Sequence, residues 1–291
     1  INKKFKRYIS IGKEEKKAAL KVLNKGVLSD FLGEKNPKFY GGEQVQKFEK
    51  YLKNYFKVKH AITTNSWTSG LVAAVGAIGT EPGDEIIVTT WTMCATATAI
   101  LHWNAIPVFA DVDEETYTID PKSIEKNISK NTKAIMTVDI YGHPTNMQEI
   151  LKIAKKYKLK VISDSAQAPG ALYNNFYAGT LGDIGGFSLN CHKHINTGEG
   201  GILVTNNDQY AKRLRLIRNH AEAVVDKTIN NNTPNMIGHN FRLGEIESAI
   251  GLEQFKKLKS KVKKRQEIAR TLSKSLKKLS GIKTPVIKKN C

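Results

Sequence analysis

The chain has 291 residues, 40% hydrophobic and 25% charged, with a formal net charge of +19; that length and composition describe a globular protein with a large core. No apolar run approaches the roughly 20 residues that span a bilayer, and the charged opening Ile1-Asn2-Lys3-Lys4-Phe5-Lys6-Arg7 has no apolar stretch behind it, so it does not read as a secretory signal. Cys94, Cys191 and Cys291 are odd in number and far apart, giving neither a disulfide framework nor a metal quartet and fitting a reducing cytoplasm.

From about residue 58 short β-rich runs alternate with amphipathic ones. His60 to Thr64 reads as a strand and Ser69 to Ile78 as a helix. After the turn Pro82-Gly83-Asp84 come strands at Glu85–Thr89, Ile106–Asp111 and Ala134–Asp139. Met147 to Tyr157 reads as a helix and Lys160–Asp164 as the strand that follows. Near-continuous apolar strands separated by helices predict a mainly parallel sheet covered on both faces. Ligands of such sheets gather at the carboxyl ends of the strands. The alternation stops near Gly238–Gly251, where a Lys-rich helical tract begins.

That tract explains most of the charge. Residues 255–291 hold 14 Lys and Arg against the single acid Glu267, leaving the body only modestly basic. Apolar Phe255, Leu258, Val262, Ile268, Leu272, Leu276 and Leu279 recur there at helical spacing, and no nucleic-acid reader motif is present. The tract therefore reads as a solvated helix face, with no nucleic-acid partner.

Four segments carry candidate chemistry. Asn65-Ser66-Trp67-Thr68-Ser69-Gly70 stands at a strand-to-helix junction, where amides and hydroxyls can either bind an anion or simply cap the helix. Asp164 ends an apolar strand; it is either the anchor of an Asx-turn or a carboxylate for a protonated ring nitrogen, with Ala166 small enough to lie under the ring and Gln167 able to hydrogen-bond it. Lys193 lies between His192 and His194 and precedes the turn Thr197-Gly198-Glu199-Gly200-Gly201; Ser188 adds a hydroxyl upstream. A lysine buried near cations becomes a nucleophile toward carbonyls. Gly238 to Glu245 offers Asn240 and Arg242 for phosphate or carboxylate, although by pattern it is a helix start with a structural Arg242–Glu245 pair.

Taken in order, these segments, with Gly42 to Glu49 and Pro82 to Glu85, resemble the DegT/DnrJ-type nucleotide-sugar aminotransferases from about residue 28 to 255. The resemblance implies an aspartate-aminotransferase-like α/β fold (pyridoxal-phosphate fold type I), with a mainly parallel sheet flanked by helices. Residues 1–250 would form the large cofactor domain with an N-terminal arm, and 251–291 the start of an incomplete small C-terminal domain. It implies pyridoxal 5′-phosphate as cofactor, Lys193 as its Schiff-base lysine, Asp164 at the pyridine nitrogen and Gln167 at the phenolate oxygen. Ser66, the backbone amide of Trp67, Thr68 and Ser188 would surround the phosphate. Asn240 would reach the partner subunit's phosphate, making the active unit a homodimer. Glutamate is the implied amino donor, a nucleotide-linked ketosugar the acceptor, and surface polysaccharide synthesis the setting.

Three departures from the family pattern stand out. Trp67 replaces a glycine, and Met93 stands where an aromatic ring normally covers the cofactor, as a thioether also can. Trp67 and Trp91 both read as core packing. The family also continues beyond residue 291, so the resemblance implies a fragment. Two rivals accompany transamination. One is the sugar-dehydratase branch, which has histidine at the lysine position and would need His192 or His194 to align one residue out of step. The other is a basic, non-catalytic interaction or regulatory protein on the same fold. Both histidines flanking Lys193 read as polar packing or substrate contacts, and His143 and His220 as structural.

Overall fold

The structure, a computed structural model, describes residues 8–34, 36–221 and 236–291; the charged opening 1–7 lies outside them. In chain order the main elements are α1 (Lys13–Lys25), α2 (Glu43–Phe56), β1 (His60–Thr64), α3 (Trp67–Ala77), β2 (Glu85–Thr89), α4 (Cys94–Leu101), β3 (Ile106–Ala110) and α5 (Pro121–Lys126). They continue with β4 (Thr132–Val138), α6 (Met147–Tyr157), β5 (Lys160–Asp164), the short pair β6 (Leu172–Tyr173) and β7 (Phe176–Tyr177), β8 (Ile184–Ser188) and β9 (Gly201–Thr205). Helices α7 (Asp208–Arg218), α8 (Glu245–Lys256) and α9 (Leu258–Leu276) follow.

Seven strands form one sheet in the order β1-β9-β8-β5-β4-β2-β3. The run from β8 to β3 is parallel, while β9 is antiparallel to both of its neighbours. Two reversals around β9 return β1 to the direction of the parallel strands. The carboxyl ends of β1, β8, β5, β4 and β2 therefore share one edge.

Strand alternation divides the core. Ile86, Val88, Ala134, Met136, Ile162 and Leu203 pack with α3, α4 and α7 on one face. Ile87, Ile135 and Val161, the intervening residues, meet α5 and α6 on the other. Beyond them on that face, Phe187, Ile202 and Val204 pack against α2 and α8. Every central strand is buried on both sides, which is why these strands read as continuous apolar runs.

Two expectations shift here. The third helix begins at Trp67, not Ser69, because the Ser66 side chain caps it by accepting from the Ser69 N–H at 3.0 Å. The apolar stripe of the basic tract divides: Phe255 and Leu258 join the core, whereas Ile268 and Leu272 on α9 face solvent. Among the described residues, no helix is long and apolar enough to cross a membrane.

Candidate active site

Strand register assembles the site. Gly201, the first residue of β9, pairs with Thr64 on one side and Ser188 on the other, while Asp164 pairs with Gly186. The ends of β1, β8 and β5 are thereby brought level. An added Cβ at Gly201 would stand 2.6 Å from both the Ser66 carbonyl oxygen and Thr64 Oγ1, so this close approach requires glycine.

The floor is the Asp164 carboxylate, fully buried. Its Oδ1 accepts from the Trp67 indole Nε1 at 2.7 Å and from the Ala166 N–H at 3.1 Å; its Oδ2 accepts from the Thr96 hydroxyl at 2.8 Å. Burial pushes its pKa up, while the Trp67, Thr96 and Ala166 donors and the nearby Lys193 charge pull it down. The Asx-turn expected at Asp164 is present, but as one of three hydrogen bonds. Lys193, half-buried, is set by a turn in which its N–H donates to the Asn190 carbonyl at 2.8 Å.

Around the floor, Gln167 Oε1 accepts from the Tyr141 N–H at 2.7 Å, leaving the Gln167 amide hydrogens as donors. Ser188 is buried at the end of β8, and its Oγ accepts from the Asn190 N–H at 3.2 Å. Trp67 and Thr68 occupy the first turn of α3, where helix geometry leaves their N–H groups without an intrahelical acceptor. Met93 precedes α4 and is 66% exposed. Asn65 donates from Nδ2 to the Asn240 carbonyl at 3.2 Å, and its N–H bonds the Phe241 carbonyl; the Asn240 side chain is exposed.

Several sequence readings need correction. The expected Arg242–Glu245 pair is absent: Arg242 Nη1 donates to Asn219 Oδ1 at 2.8 Å, whereas Glu245 accepts from the N–H groups of Gln44 and Val45 at the start of α2. Helix α2 begins at a glycine with no side chain to cap it, so Glu245 supplies the missing acceptor from afar. Trp91 is 52% exposed, not core packing. Trp67 is buried, as a core residue would be, but its indole also bonds the central carboxylate.

His194 is mostly buried with an unpartnered Nδ1. Burial, with the charges of Arg265, Lys193 and Lys261 beside it, depresses its pKa to about 4. His192 is exposed, and its N–H donates to Asn190 Oδ1. The sequence reading missed Thr96 and Asp139. Asp139, one residue beyond β4, is buried and accepts from Thr145 through its N–H and hydroxyl and from the Ser165 hydroxyl. The only available signal was a carboxylate at the end of the strand neighbouring Asp164.

Residues 11–290 match the profile of the DegT/DnrJ/EryC1/StrS aminotransferase family. The chain belongs to that family. This DegT/DnrJ family chain is 38% identical to the GDP-perosamine synthase of Caulobacter vibrioides, over 78% of the chain and 60% of that enzyme. It superposes on Helicobacter pylori PseC, an aminotransferase of pseudaminic acid biosynthesis, with a TM-score of 0.81 and 36% identity over 93% of the chain and 70% of PseC. A GDP-4-keto-6-deoxymannose-3-dehydratase, solved with a trapped PLP-glutamate geminal diamine, superposes with a TM-score of 0.77 and 29% identity, over 86% of the chain and 67% of that structure. The chain spans 60–70% of the length of the curated relatives it matches first. The fold is that of the fold-type I aminotransferases.

Proposed function

We propose that this chain transfers an amino group from glutamate to a ketosugar carried on a nucleoside diphosphate, using pyridoxal 5′-phosphate held at the carboxyl edge of the sheet. What supports this most is Asp164, a buried, hydrogen-bonded carboxylate at the end of β5 that feels the charge of Lys193, in a chain of a sugar-aminotransferase family. The donor set fits the cofactor. Asp164 suits its ring nitrogen, the unused Gln167 amide its phenolate oxygen, and the first turn of α3 with Ser188 its phosphate.

When bound, the cofactor supplies a carbonyl that exchanges amines and a ring that takes up the electron pair released at the reacting carbon. The chain supplies the rest. Asp164 would keep the ring nitrogen protonated, and Ala166 and Met93 would be the residues to hold the two faces of the ring. The Lys193 amine carries a proton between the donor's α-carbon and the cofactor's C4′, a task worth about 10²–10⁴-fold in rate. Exposed Asn240 serves the phosphate of a partner subunit in a homodimer. We place the reaction in the cytoplasm, in amino-sugar synthesis for surface polysaccharide.

Dehydration is less well supported, since the residue whose charge acts on Asp164 is Lys193, an amine, where that branch has histidine. A non-catalytic basic protein would have no need of Asp164 in so complete a set of donors. The test uses Lys193→Ala loaded with pyridoxamine phosphate and offered a panel of nucleotide ketosugars. One sugar class should form an adduct with the cofactor that borohydride fixes and mass spectrometry detects. No adduct with any of them, from a protein that holds the cofactor, would reject the ketosugar as acceptor.

A further inference from the structure

The Trp67 indole stands where the family pattern has no side chain at all, and it is aimed at the central carboxylate. Its ring has been given room: a Cβ on Gly186 would lie 2.3 Å from it, and one on Gly70 would lie 2.8 Å away. Phenylalanine would fill part of that space, but only tryptophan adds the Nε1–H. A buried indole N–H takes a partner, and here the partner is Asp164 Oδ1 at 2.7 Å.

Thr96 meets the other oxygen. Its single hydroxyl hydrogen goes to Asp164 Oδ2, so in the 2.7 Å contact between the Thr92 and Thr96 hydroxyls it is Thr92 that donates. The three residues form a relay, Thr92 to Thr96 to Asp164. Each carboxylate oxygen has two acceptor sites. Oδ1 uses both, for Trp67 and Ala166, whereas Oδ2 uses one.

We infer that Trp67 and Thr96 are positioning residues that fix the rotation of Asp164, so that the remaining acceptor site of Oδ2 receives the protonated ring nitrogen of the cofactor. The inference rests on the pyridoxal-phosphate reading above. Both donors sit on the first turns of helices, α3 and α4, packed into the core, which is how a carboxylate is held to a narrow range of orientations. Burial favours the neutral acid at Asp164, and these two donors oppose it.

The test is a double-mutant cycle in the full chain. Trp67→Phe and Thr96→Val are each made alone and in an Asp164→Asn background, and pyridoxal-phosphate affinity is measured by absorbance titration. Each single change should weaken binding about tenfold, the size of one hydrogen bond to a charged group. In the Asp164→Asn background each should change affinity by less than about twofold. Independently of cofactor, the indole N–H resonance that Trp67→Phe removes from the free protein should move on Asp164→Asn. Equal losses in both backgrounds would make Trp67 a packing residue and overturn the inference, as would affinity unchanged by either substitution. A wild-type protein that gains no visible band with pyridoxal phosphate would instead reject the cofactor reading itself.

Discussion

The backbone N–H of Asp139 donates to the carbonyl of Asp164 at 3.0 Å, tying two buried carboxyl-bearing residues together at the ends of adjacent strands. Asp139 has a raised pKa, caused first by burial and opposed by the Ser165 and Thr145 hydrogen bonds. Between its unfolded and folded pKa values the native state binds more protons than the unfolded chain. Stability from this group is therefore present at low pH and is lost as pH rises through the folded value. Asp139→Asn should flatten that part of the stability–pH curve. Asp139→Ala should cost about 1–3 kcal/mol by orphaning the Thr145 N–H, measured by urea unfolding.

His194 behaves in the opposite sense. Its folded pKa of about 4 lies below the ordinary histidine value, so stability is full above about pH 6.5 and is lost as pH falls toward 4. The loss should be of order 2–3 kcal/mol, with one proton taken up on unfolding. Replacing His194 with leucine should remove the slope between pH 6.5 and 4; an unchanged slope would place the titration elsewhere.

Arg218 and Glu49 form a buried ion pair at 2.7 Å, and Glu49 also accepts from the Thr63 N–H and hydroxyl. The pair ties α7 and α2 to β1, the strand that leads into the Ser66 loop. Glu49→Ala strands the guanidinium and should destabilise by about 3–5 kcal/mol. Glu49→Ala combined with Arg218→Met should recover part of the loss, read as a shift of the urea midpoint.

Gly186 faces both the Trp67 ring and the Ile202 carbonyl, which a Cβ would approach to 1.9 Å. Gly186→Ala should therefore unseat Trp67 and cost about 1–3 kcal/mol or more by overpacking. The indole N–H resonance of Trp67 should lose its hydrogen-bonded shift in this variant. A variant with wild-type stability and an unmoved resonance would contradict the packing described.

What the sequence made legible follows from local rules. Helix Met147–Tyr157 and strands His60–Thr64, Glu85–Thr89 and Lys160–Asp164 were readable to the residue because apolar runs and punctuation coincide there. Strand β8 was not delimited, since its adjacent glycines, Gly185 and Gly186, erase the side-chain pattern. Their smallness serves neighbours: a Cβ at Gly185 would collide with the Gly179 carbonyl, and one at Gly186 with Trp67. Asp164 and Lys193 were identifiable as candidates from their settings after apolar runs. The side-chain donors to Asp164 come from 97 and 68 residues away and were beyond any local reading. Glu245 shows the same limit, its local partner Arg242 losing to the uncapped start of α2.

The most direct measurement is to reduce the pyridoxal-phosphate-loaded protein with borohydride and map its peptides. The account predicts a pyridoxyl group fixed on the peptide carrying Lys193, at about one per chain, and none in Lys193→Ala. A coloured protein whose label lies on another lysine, or that leaves Lys193 unmodified, would contradict it.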